Sequence, residues 1–522
     1  MSDIGITFAV IAAIVALFVW GRLPVEVVAI GAALVLWATG VLTIEQSLAG
    51  FGDPVVIFIA TLFVVSEGLE ATGVTAWAGQ QLMAGAGTSE RRLLVLMVLV
   101  VAALTAVVTV NAAVAALLPV IMVAATRLGR SPSKLLIPLC FGAHAGSQLA
   151  LTGSNVNMVV SNAAVEYGVQ PFGFFEFALA GIPLLLGSTL VIALFSDRLL
   201  PIRSPKTVSA DLSRHARTLA RQYGLAAGDG EDGLFGRETG LAEVLIPPRS
   251  PFIGDKVSRG MVTEGGDLVV VAIQRAGRDL DVAELHAGDA LVLQGPWRAL
   301  DEKTEGPALL AVDQPQVVRR QAVPLGLQAW EAIGVLVAMV VLLVTGIVPP
   351  AVAGLLAAGA LIVLRVLSME QAYRAVTWTT VVLVAAMLPL STAMFQTGAA
   401  DLVADGLIQV VGGLGPHGLL VGLFVVTVIF GQLISNTATA LIMIPIGVAA
   451  AGELGVDLRP VLMSICVAAA ASLLTPVATP VNLIAMGAAG YRFGDYWRLG
   501  LVVLVVFFIV SVFVVPIFWP FG

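Results

Sequence analysis

Charged residues are scarce in this chain of 522 residues. Only 12% are Asp, Glu, Lys or Arg, whereas 58% are hydrophobic and the mean hydropathy is +0.99. A soluble globular chain carries about 25% charged residues. The composition therefore predicts a polytopic membrane protein whose main partner is the lipid bilayer, and we expect no nucleic-acid partner.

Several chemical signatures are missing as well. The two cysteines, Cys140 and Cys466, lie in apolar segments without a partner nearby in sequence, so we interpret them as buried thiols. We find no metal-ligand spacing and no glycine-rich dinucleotide loop. We therefore expect no enzymatic cofactor and no enzyme activity. The first apolar segment, 4–20, lacks a basic n-region and a small-residue cleavage site, so no cleavable signal is predicted.

Apolar segments follow one another along both halves of the chain. Their approximate bounds are 4–20, 25–42, 54–71, 93–126, 134–165 and 174–200, then 328–347, 350–366, 378–396, 416–450, 459–490 and 497–519. The two longest, 93–126 and 416–450, exceed the ~20 residues of one membrane helix. We predict hairpins there, each leaving on the side it entered, with Asn111 and Asn436 at the tips.

One increment in residue number relates the two halves. It takes Asn111 to Asn436 (436 − 111 = 325) and is here called the repeat offset. The same offset joins Gln46 with Gln371, Thr72-Gly73 with Thr397-Gly398, Ser154 with Thr479, and Asn157 with Asn482. These anchors indicate an internal duplication. Because each half has an odd number of predicted crossings, the predicted fold is α-helical with two inverted repeats, re-entrant hairpins and broken helices.

The distribution of Lys and Arg supports opposite orientations of the halves. If the central interval lies in the cytosol, the loops 43–53, 166–173, 347–350 and 397–415 lie outside and contain no Lys or Arg, and only Arg459 is on the wrong side. This asymmetry follows the positive-inside rule. We therefore predict a multi-pass protein of the inner (plasma) membrane with both termini outside.

The central interval differs in composition from the rest of the chain. It is rich in charge, begins with an amphipathic or irregular stretch at 209–223 and a Gly/Asp-rich link at 224–236, and then contains short strands such as AEVLIPP, DLVVVAIQRAG and DALVLQG. Residues 241–313 resemble the TrkA C-terminal domain of potassium-conductance regulators, which implies a small ligand. The predicted domains are a first transmembrane repeat at 1–203, a cytosolic α+β insertion at 204–325 and a second repeat at 326–522.

Polar residues interrupt the apolar segments at matching places. Ser435-Asn436-Thr437, here called the second tip, lies within GQLISNTATALIMIP, and TPVATPVN follows in the next segment. Small polar residues commonly pack membrane helices. However, inverted repeats with broken helices are the architecture of secondary transporters, where unwound carbonyls bind Na⁺ and helix N-termini bind anions.

These motifs resemble the divalent-anion/sodium symporter family. The resemblance implies that each tip contacts substrate and one Na⁺, and that backbone of the unwound crossing completes each ion site. The implied substrate-binding residues are Asn111, Ala112, Ser154, Asn155, Ser435, Asn436, Thr437, Thr479 and Pro480. The implied Na⁺ sites contain Asn436 with Ala478, and Asn111 with Gly153.

The first half departs from the family pattern. Val110-Asn111-Ala112, the first tip, stands where Ser-Asn-Thr is expected, and Ser154-Asn155 stands where Thr-Pro is expected. His144 and Gln148 replace a small, Gly-rich approach. Either the first sodium site is weakened or the substrate is not the usual dicarboxylate. His144 is either a packing residue or a substrate or proton ligand.

Three functions remain open at this point. The first is a homodimeric carrier of a small divalent anion, either a di- or tricarboxylate or a sulfate-like oxyanion, coupled to Na⁺. The second is an ion antiporter or metalloid exporter, for which Glu67 is the candidate intramembrane acid. The third is a regulator-gated potassium-handling protein, although no filter sequence such as TVGYG is present.

Overall fold

The computed structural model divides the chain into two compact units. One comprises Met1–Leu69, Ala78–Val208 and Glu331–Gly522, and the other comprises Glu70–Trp77 and Ser209–Trp330. The structure describes residues 2–20, 22–75, 77–78, 81, 90–127, 131–203, 239–263, 267–275, 278–304, 308–311, 326–476 and 478–522. The predicted amphipathic stretch at 209–223 and the link at 224–236 lie outside the described residues.

Helices form the larger unit, because a long apolar segment satisfies its backbone hydrogen bonds internally when it is helical. In the first half they are α1 Asp3–Trp20, α2 Val25–Ala38, α3 Ile44–Leu48, α4 Pro54–Ala71, α5 Glu90–Thr105, α6 Val110–Arg127, α7 Leu136–Gly146, α8 Asn155–Glu166 and α9 Ala178–Leu199. Helix α10, Trp297–Thr304, belongs to the smaller unit. In the second half they are α11 Leu327–Thr345, α12 Pro350–Val363, α13 Met369–Ala375, α14 Trp378–Gln396, α15 Ala399–Val411, α16 Gly415–Gly431, α17 Asn436–Leu454, α18 Leu458–Ala469, α19 Pro480–Ala489 and α20 Trp497–Ile509, which continues through a π-turn to Phe518.

Within the described residues, seven helices are long and apolar enough to cross a membrane, or eight if a bent pair counts as one span. The predicted interruptions are confirmed by the helix bounds. One helix ends at Thr105 and the next begins at Val110, and in the second half the same break separates Gly431 from Asn436. The two segments predicted as unwound crossings are each divided into two helices of 10–12 residues, so each helix falls below the length of a full span.

Two predicted outer loops contain helices instead. Helix α3 lies within 43–53 because Thr43 and Gln46 form a capping box at its start. Helix α15 occupies most of 397–415 and meets α16 at an angle of 116°. The corner includes Gly415, whose φ of +69° is a conformation that favours glycine.

The repeat offset also holds in local structure. Applied to both ends of α2, it gives the first and last residues of α12. The capping box of Thr43 with Gln46 is repeated by Ser368 with Gln371 at the start of α13. The repeat offset therefore extends to individual hydrogen bonds.

The last helix of each half passes very close to an unwound segment. A Cβ atom on Gly181 of α9 would lie 2.1 Å from the carbonyl oxygen of Gln148, and one on Gly500 of α20 would lie 2.1 Å from that of Leu473. The two carbonyls are related by the repeat offset, whereas the two glycines are not. Both contacts require glycine, and they hold equivalent carbonyls in place.

Arg459, the basic residue on the predicted outer side, has compensating partners. Its guanidinium forms an ion pair with Glu176 and lies 5.0 Å from the centroid of the Phe172 ring. The Trp519 indole donates to the same carboxylate at 3.0 Å. The ion pair and the ring contact both reduce the cost of placing this cation in the first turn of α18.

The smaller unit contains a five-stranded antiparallel sheet. The described strands of this unit are β1 Thr239–Leu245, β2 Lys256–Ser258, β3 Val269–Arg275, β4 Arg278–Leu280, β5 Val282–Glu284, β6 Ala290–Pro296 and β7 Leu310–Ala311. The order is β4-β3-β6-β1-β7, with β2 and β5 paired separately. The three predicted strands correspond to β1, β3 and β6, so this prediction is confirmed. Alternating apolar residues such as Val244, Val270 and Leu293 form the core with Leu300 of α10.

An ion pair closes one end of this sheet. The Arg275 guanidinium donates to both carboxylate oxygens of Asp289, each at 2.7 Å, and the Asp289 side chain is almost fully buried. These hydrogen bonds hold the pKa of Asp289 below its usual value. The ion pair thus links β3 to the turn before β6.

Candidate functional site

The polar interruptions of both halves meet at one cavity of about 280 Å³. Ten of the eleven predicted site residues line it: Asn111, Gly153, Ser154, Asn155, Ser435, Asn436, Thr437, Ala478, Thr479 and Pro480. Ala112 is not among the lining residues. The first tip therefore contributes through Val110 and Asn111, whereas the second contributes through all three of its residues.

Four helices begin at this cavity. The first residues of α6, α8, α17 and α19, namely Val110, Asn155, Asn436 and Pro480, all line it. The first four N–H groups of a helix have no intrahelical acceptor, and the helix dipole places partial positive charge there. Four such ends around one small volume form an environment that favours an anion.

Two helices also end at the cavity. Helix α7 ends at Gly146 and α18 ends at Ala469, and the residues that follow them, Ser147 and Ala470, line the cavity. Helix C-termini carry partial negative charge and free carbonyl oxygens. The cavity thus has surfaces suited to a cation beside surfaces suited to an anion.

The second tip is held by hydrogen bonds to the unwound segment. Ser435 caps α17 by accepting from the Ala438 N–H at 3.3 Å. The Ser472 hydroxyl donates to Oδ1 of Asn436, which leaves the Asn436 amide N–H groups available to the cavity. This contact orients the asparagine, since amide donors and acceptors are not interchangeable.

Gln432 fastens the same segment to the end of α16. Its Nε2 donates to the Ala471 carbonyl at 3.0 Å, and its Oε1 accepts from the Leu474 N–H at 3.0 Å. The Thr475 hydroxyl also lies 3.3 Å from the Gln432 carbonyl oxygen. A glutamine thereby replaces the helical hydrogen bonds that the unwound backbone has given up.

Asn157 and Asn482 perform equivalent tasks in the two halves. Asn157 Nδ2 donates to the carbonyls of Ser147 and Ala150 at 2.9 and 2.8 Å. Asn482 Nδ2 donates to the carbonyls of Ser472 and Thr475 at 2.9 and 3.2 Å. The repeat offset relates every partner to its counterpart. Each asparagine closes its unwound loop into a fixed shape behind the cavity.

The first tip replaces its missing serine by a shift of one residue. Thr109 lines the cavity, and its hydroxyl accepts from the Ala112 N–H at 3.4 Å, as Ser435 accepts from Ala438. Helix α6 consequently begins one residue before Asn111, whereas α17 begins at Asn436. The two tip asparagines therefore occupy different positions in their helical turns.

His144 connects the halves at the cavity wall. The residue is 2% exposed, lines the cavity and places Nε2 3.5 Å from the Thr479 hydroxyl. Gln148 lies behind the wall, where its Nε2 donates to Asn157 Oδ1 at 3.1 Å. The Cys466 thiol lies 3.4 Å from Oε1 of Gln148 and 3.2 Å from Oδ1 of Asn157. His144 thus packs in the wall and also faces the cavity, whereas Gln148 and Cys466 are not among the lining residues.

The described lining residues include no Asp, Glu, Lys or Arg. Glu67 is not among them, and the described part of the chain has no group of three His, Cys, Asp or Glu side chains suited to a metal. The buried cysteines agree with the expectation of free thiols. Among these described lining residues, the electrostatic contributions identified are therefore the partial charges of the helix ends.

Sequence reasoning missed Thr109, Gln432 and Ser472, as well as Thr379 and Thr380 of α14, which also line the cavity. The sequence did contain a signal for Ser472, because the repeat offset relates it to another serine, Ser147. It contained no such signal for Thr379 and Thr380, since their counterparts at the same offset are Pro54 and Val55.

Comparisons with known proteins agree with a transport role. The chain is 30% identical over 603 aligned residues to the uncharacterized transporter YfbS of Escherichia coli, covering 98% of each protein. It is 25% identical to sodium/sulfate cotransporter 1 of Chlamydomonas reinhardtii, over 60% of this chain and 33% of that protein. Its fold is similar to the solved YdaH transporter of Alcanivorax borkumensis, with a TM-score of 0.51, 13% identity and coverage of 98% and 100% of the two chains.

A family profile described as citrate transporter matches residues 15–457 and 411–522. That match spans the helices, the tips and the unwound segments of both halves. With the relative at 30% identity over nearly the whole length, it shows that this multi-pass membrane protein is a transporter that belongs to the citrate transporter family.

Proposed function

We propose that the protein is a secondary transporter that moves a small divalent anion together with Na⁺ by alternating access. The observation that carries this proposal is the convergence of four helix N-termini and two helix C-termini on one cavity whose described lining has no charged side chain. The anion is a sulfate-like oxyanion or a di- or tricarboxylate.

The anion binds between the tips. Asn111, Asn155, Asn436 and Thr437 supply uncharged donors, and the hydroxyls of Ser154, Ser435 and Thr479 complete the set. Hydrogen bonds to a charged partner contribute about 1.5–3 kcal/mol each. Neutral donors can hold an ionised anion without binding it too tightly for release.

Sodium supplies the missing countercharge. Asn436 with the Ala478 backbone, and Asn111 with the Gly153 backbone, are the proposed ligands. The oxygen donors around the ends of α7 and α18 fit a hard cation, which binds carbonyl, amide and hydroxyl oxygens. A dianion has no countercharge in a cavity without fixed cations. Bound Na⁺ supplies that countercharge and so raises the affinity of the cavity for the anion.

The duplication supports alternating access. The proposed arrangement is two inverted repeats, with the inserted β-rich unit in the cytosol and both termini outside in the inner (plasma) membrane of a homodimer. The inserted unit then modulates transport in response to a small ligand. An antiporter that relies on Glu67 receives no support from the cavity, because Glu67 does not line it.

Purified protein in proteoliposomes tests the proposal. Uptake of labelled sulfate, succinate and citrate is measured with an inward Na⁺ gradient and with the same gradient of K⁺. We expect Na⁺-dependent uptake of at least one anion, competed by the unlabelled anion. Asn436→Ala protein, reconstituted at the same density, serves as the matched control. Uptake of every anion at equal rates in Na⁺ and K⁺ would refute sodium coupling.

A further inference from the structure

The cavity has a wall that belongs to neither tip. Thr379, Thr380 and Leu383 of α14 form it with Val25 of α2 and Phe63 of α4. Helices α2 and α14 pack directly against each other, so this wall is a preformed surface. It offers hydroxyl groups in the first turn of α14, where the helix dipole also favours negative charge.

The two hydroxyls of this wall differ in their availability. The Thr379 hydroxyl lies 3.5 Å from a carboxylate oxygen of Glu26, a residue in the first turn of α2. In the described part of the chain, the Thr380 hydroxyl makes no hydrogen bond. Thr380 is therefore the lining residue of this wall whose hydroxyl is available to a ligand in the cavity.

The duplicated register identifies a second wall of different chemistry. The repeat offset makes Val55 the counterpart of Thr380 and Leu388 the counterpart of Phe63. Val55 and Leu388 together line a separate space of only about 20 Å³, with Val159, Asn162 and Glu166 of α8, Ser391 of α14 and Ile444 of α17. That volume holds about one water molecule.

The two walls are therefore in opposite conditions in this structure. One faces the site cavity, and its counterpart is covered by α8 and α17, the helices that begin at the site. If alternating access exchanges the walls, the site moves from a wall with the Thr380 hydroxyl to a wall where Val55 takes its place. Because valine has no hydroxyl, the two states differ by one hydrogen-bond donor at this position.

We propose that Thr380 binds the transported anion in the state of this structure only, so that the carrier has a higher affinity for the anion from one side of the membrane. This inference rests on the proposed function and adds a ligand outside the two tips. With the proposed orientation, the side of higher affinity is the cytosol, because Arg374 precedes α14 on the positively charged side.

The test measures transport from both faces. Right-side-out and inverted membrane vesicles from the same cells report the KM for the anion at each face, under saturating Na⁺. Thr380→Val reproduces the opposite wall, Thr380→Ser keeps the hydroxyl, and Val55→Thr adds a hydroxyl to the other wall. Circular dichroism and surface quantification confirm that each variant is folded and inserted.

Loss of one hydrogen bond to a charged ligand predicts a KM increase of roughly tenfold to a hundredfold for Thr380→Val at one face. The KM at the other face should stay within about twofold. Thr380→Ser should restore the wild-type value, and Val55→Thr should lower the KM at the face that Thr380→Val leaves unchanged.

An unchanged KM at both faces, or an equal increase at both, would overturn the inference, because a merely structural threonine has no reason to act on one face. If wild-type vesicles transport none of the tested anions, the proposed function is wrong, and the proposed role of Thr380 in anion binding is wrong with it. The wild-type measurement therefore separates the two failures.

Discussion

Replacing Asn436 by alanine is the most direct perturbation of the cavity. The change removes the amide of a cavity-lining residue, whose Oδ1 accepts from Ser472. Ser472 keeps an acceptor, since its hydroxyl is 3.3 Å from the Gly431 carbonyl oxygen. The substitution should therefore change the free energy of unfolding little and mainly reduce the affinity for the ligands.

One hydrogen bond to a charged ligand contributes about 1.5–3 kcal/mol, and each 1.4 kcal/mol changes affinity about tenfold. Asn436→Ala should thus weaken anion binding by roughly tenfold to a hundredfold. It should weaken Na⁺ binding too, because the same amide oxygen is a proposed Na⁺ ligand. Anion-dependent and Na⁺-dependent shifts in the melting temperature of the purified protein measure both affinities.

Asn436→Asp separates the two roles. The carboxylate keeps an oxygen for Na⁺ but repels the anion, so anion affinity should fall further while Na⁺ affinity is retained or increased. Thr345→Ala is the control, since the Thr345 hydroxyl donates to carbonyls within α11 and Thr345 is not among the residues that line the site cavity. If Asn436→Ala binds anion and Na⁺ like the wild type, the assignment of the cavity is wrong.

Three further changes test other parts of the structure. Gly500→Ala should lower the melting temperature by several degrees, because the added Cβ would lie 2.1 Å from the Leu473 carbonyl oxygen. Gly334→Ala is the control, since a Cβ at Gly334 would meet open space and should not lower the melting temperature. Equal melting temperatures of the two variants would contradict the close packing of Gly500. Thr109→Val should raise the Na⁺ concentration for half-maximal uptake several-fold, roughly the effect of one lost neutral hydrogen bond, while Thr109→Ser preserves it; identical Na⁺ titrations would remove Thr109 from the site. The lowered pKa of Asp289 stabilises the β-rich unit above the unfolded pKa of about 3.9, and this stability is lost as pH falls through the folded pKa. Hydrogen exchange of residues 239–311 in the full protein should therefore distinguish Asp289→Asn from wild type at pH 7 and not at strongly acidic pH.

The fold was predictable where the sequence carries a pattern. Apolar length indicated the spans, polar residues inside them indicated the interruptions, and the repeat offset linked the halves. Helices α3 and α15 were missed because amphipathic segments outside an apolar run resemble loops in composition. Their formation depends on local caps and on packing against other helices, as for Thr43 with Gln46.

The site was predictable where both copies carry it. Ten predicted residues line one cavity because the duplicated motifs place them at equivalent breaks. Gln432 could not be assigned, since its partners Ala471 and Leu474 lie in a different apolar segment and its counterpart in the first half is Val107. A hydrogen bond of a side chain to an unwound backbone leaves no periodic signal.

Sequence register and helix register also differ at the tips. The alignment of the halves places Val110 opposite Ser435 and therefore predicts a missing hydroxyl. The structure begins α6 one residue earlier and gives the capping role to Thr109. The first half thus keeps one of the two hydroxyls that the alignment removes, and its deficit is confined to Ala112, where the second half has Thr437.

In the proposed mechanism, the absence of charged side chains from the described lining is what couples the two ligands. A fixed arginine would bind the anion whether or not Na⁺ were present, and a fixed carboxylate would bind Na⁺ alone. With neutral donors and helix ends only, each ligand provides the countercharge for the other. Linkage then requires that Na⁺ raise the affinity for the anion by the same factor as the anion raises the affinity for Na⁺. A carrier built this way gains little from binding either ligand alone, which suppresses the uncoupled movement of both.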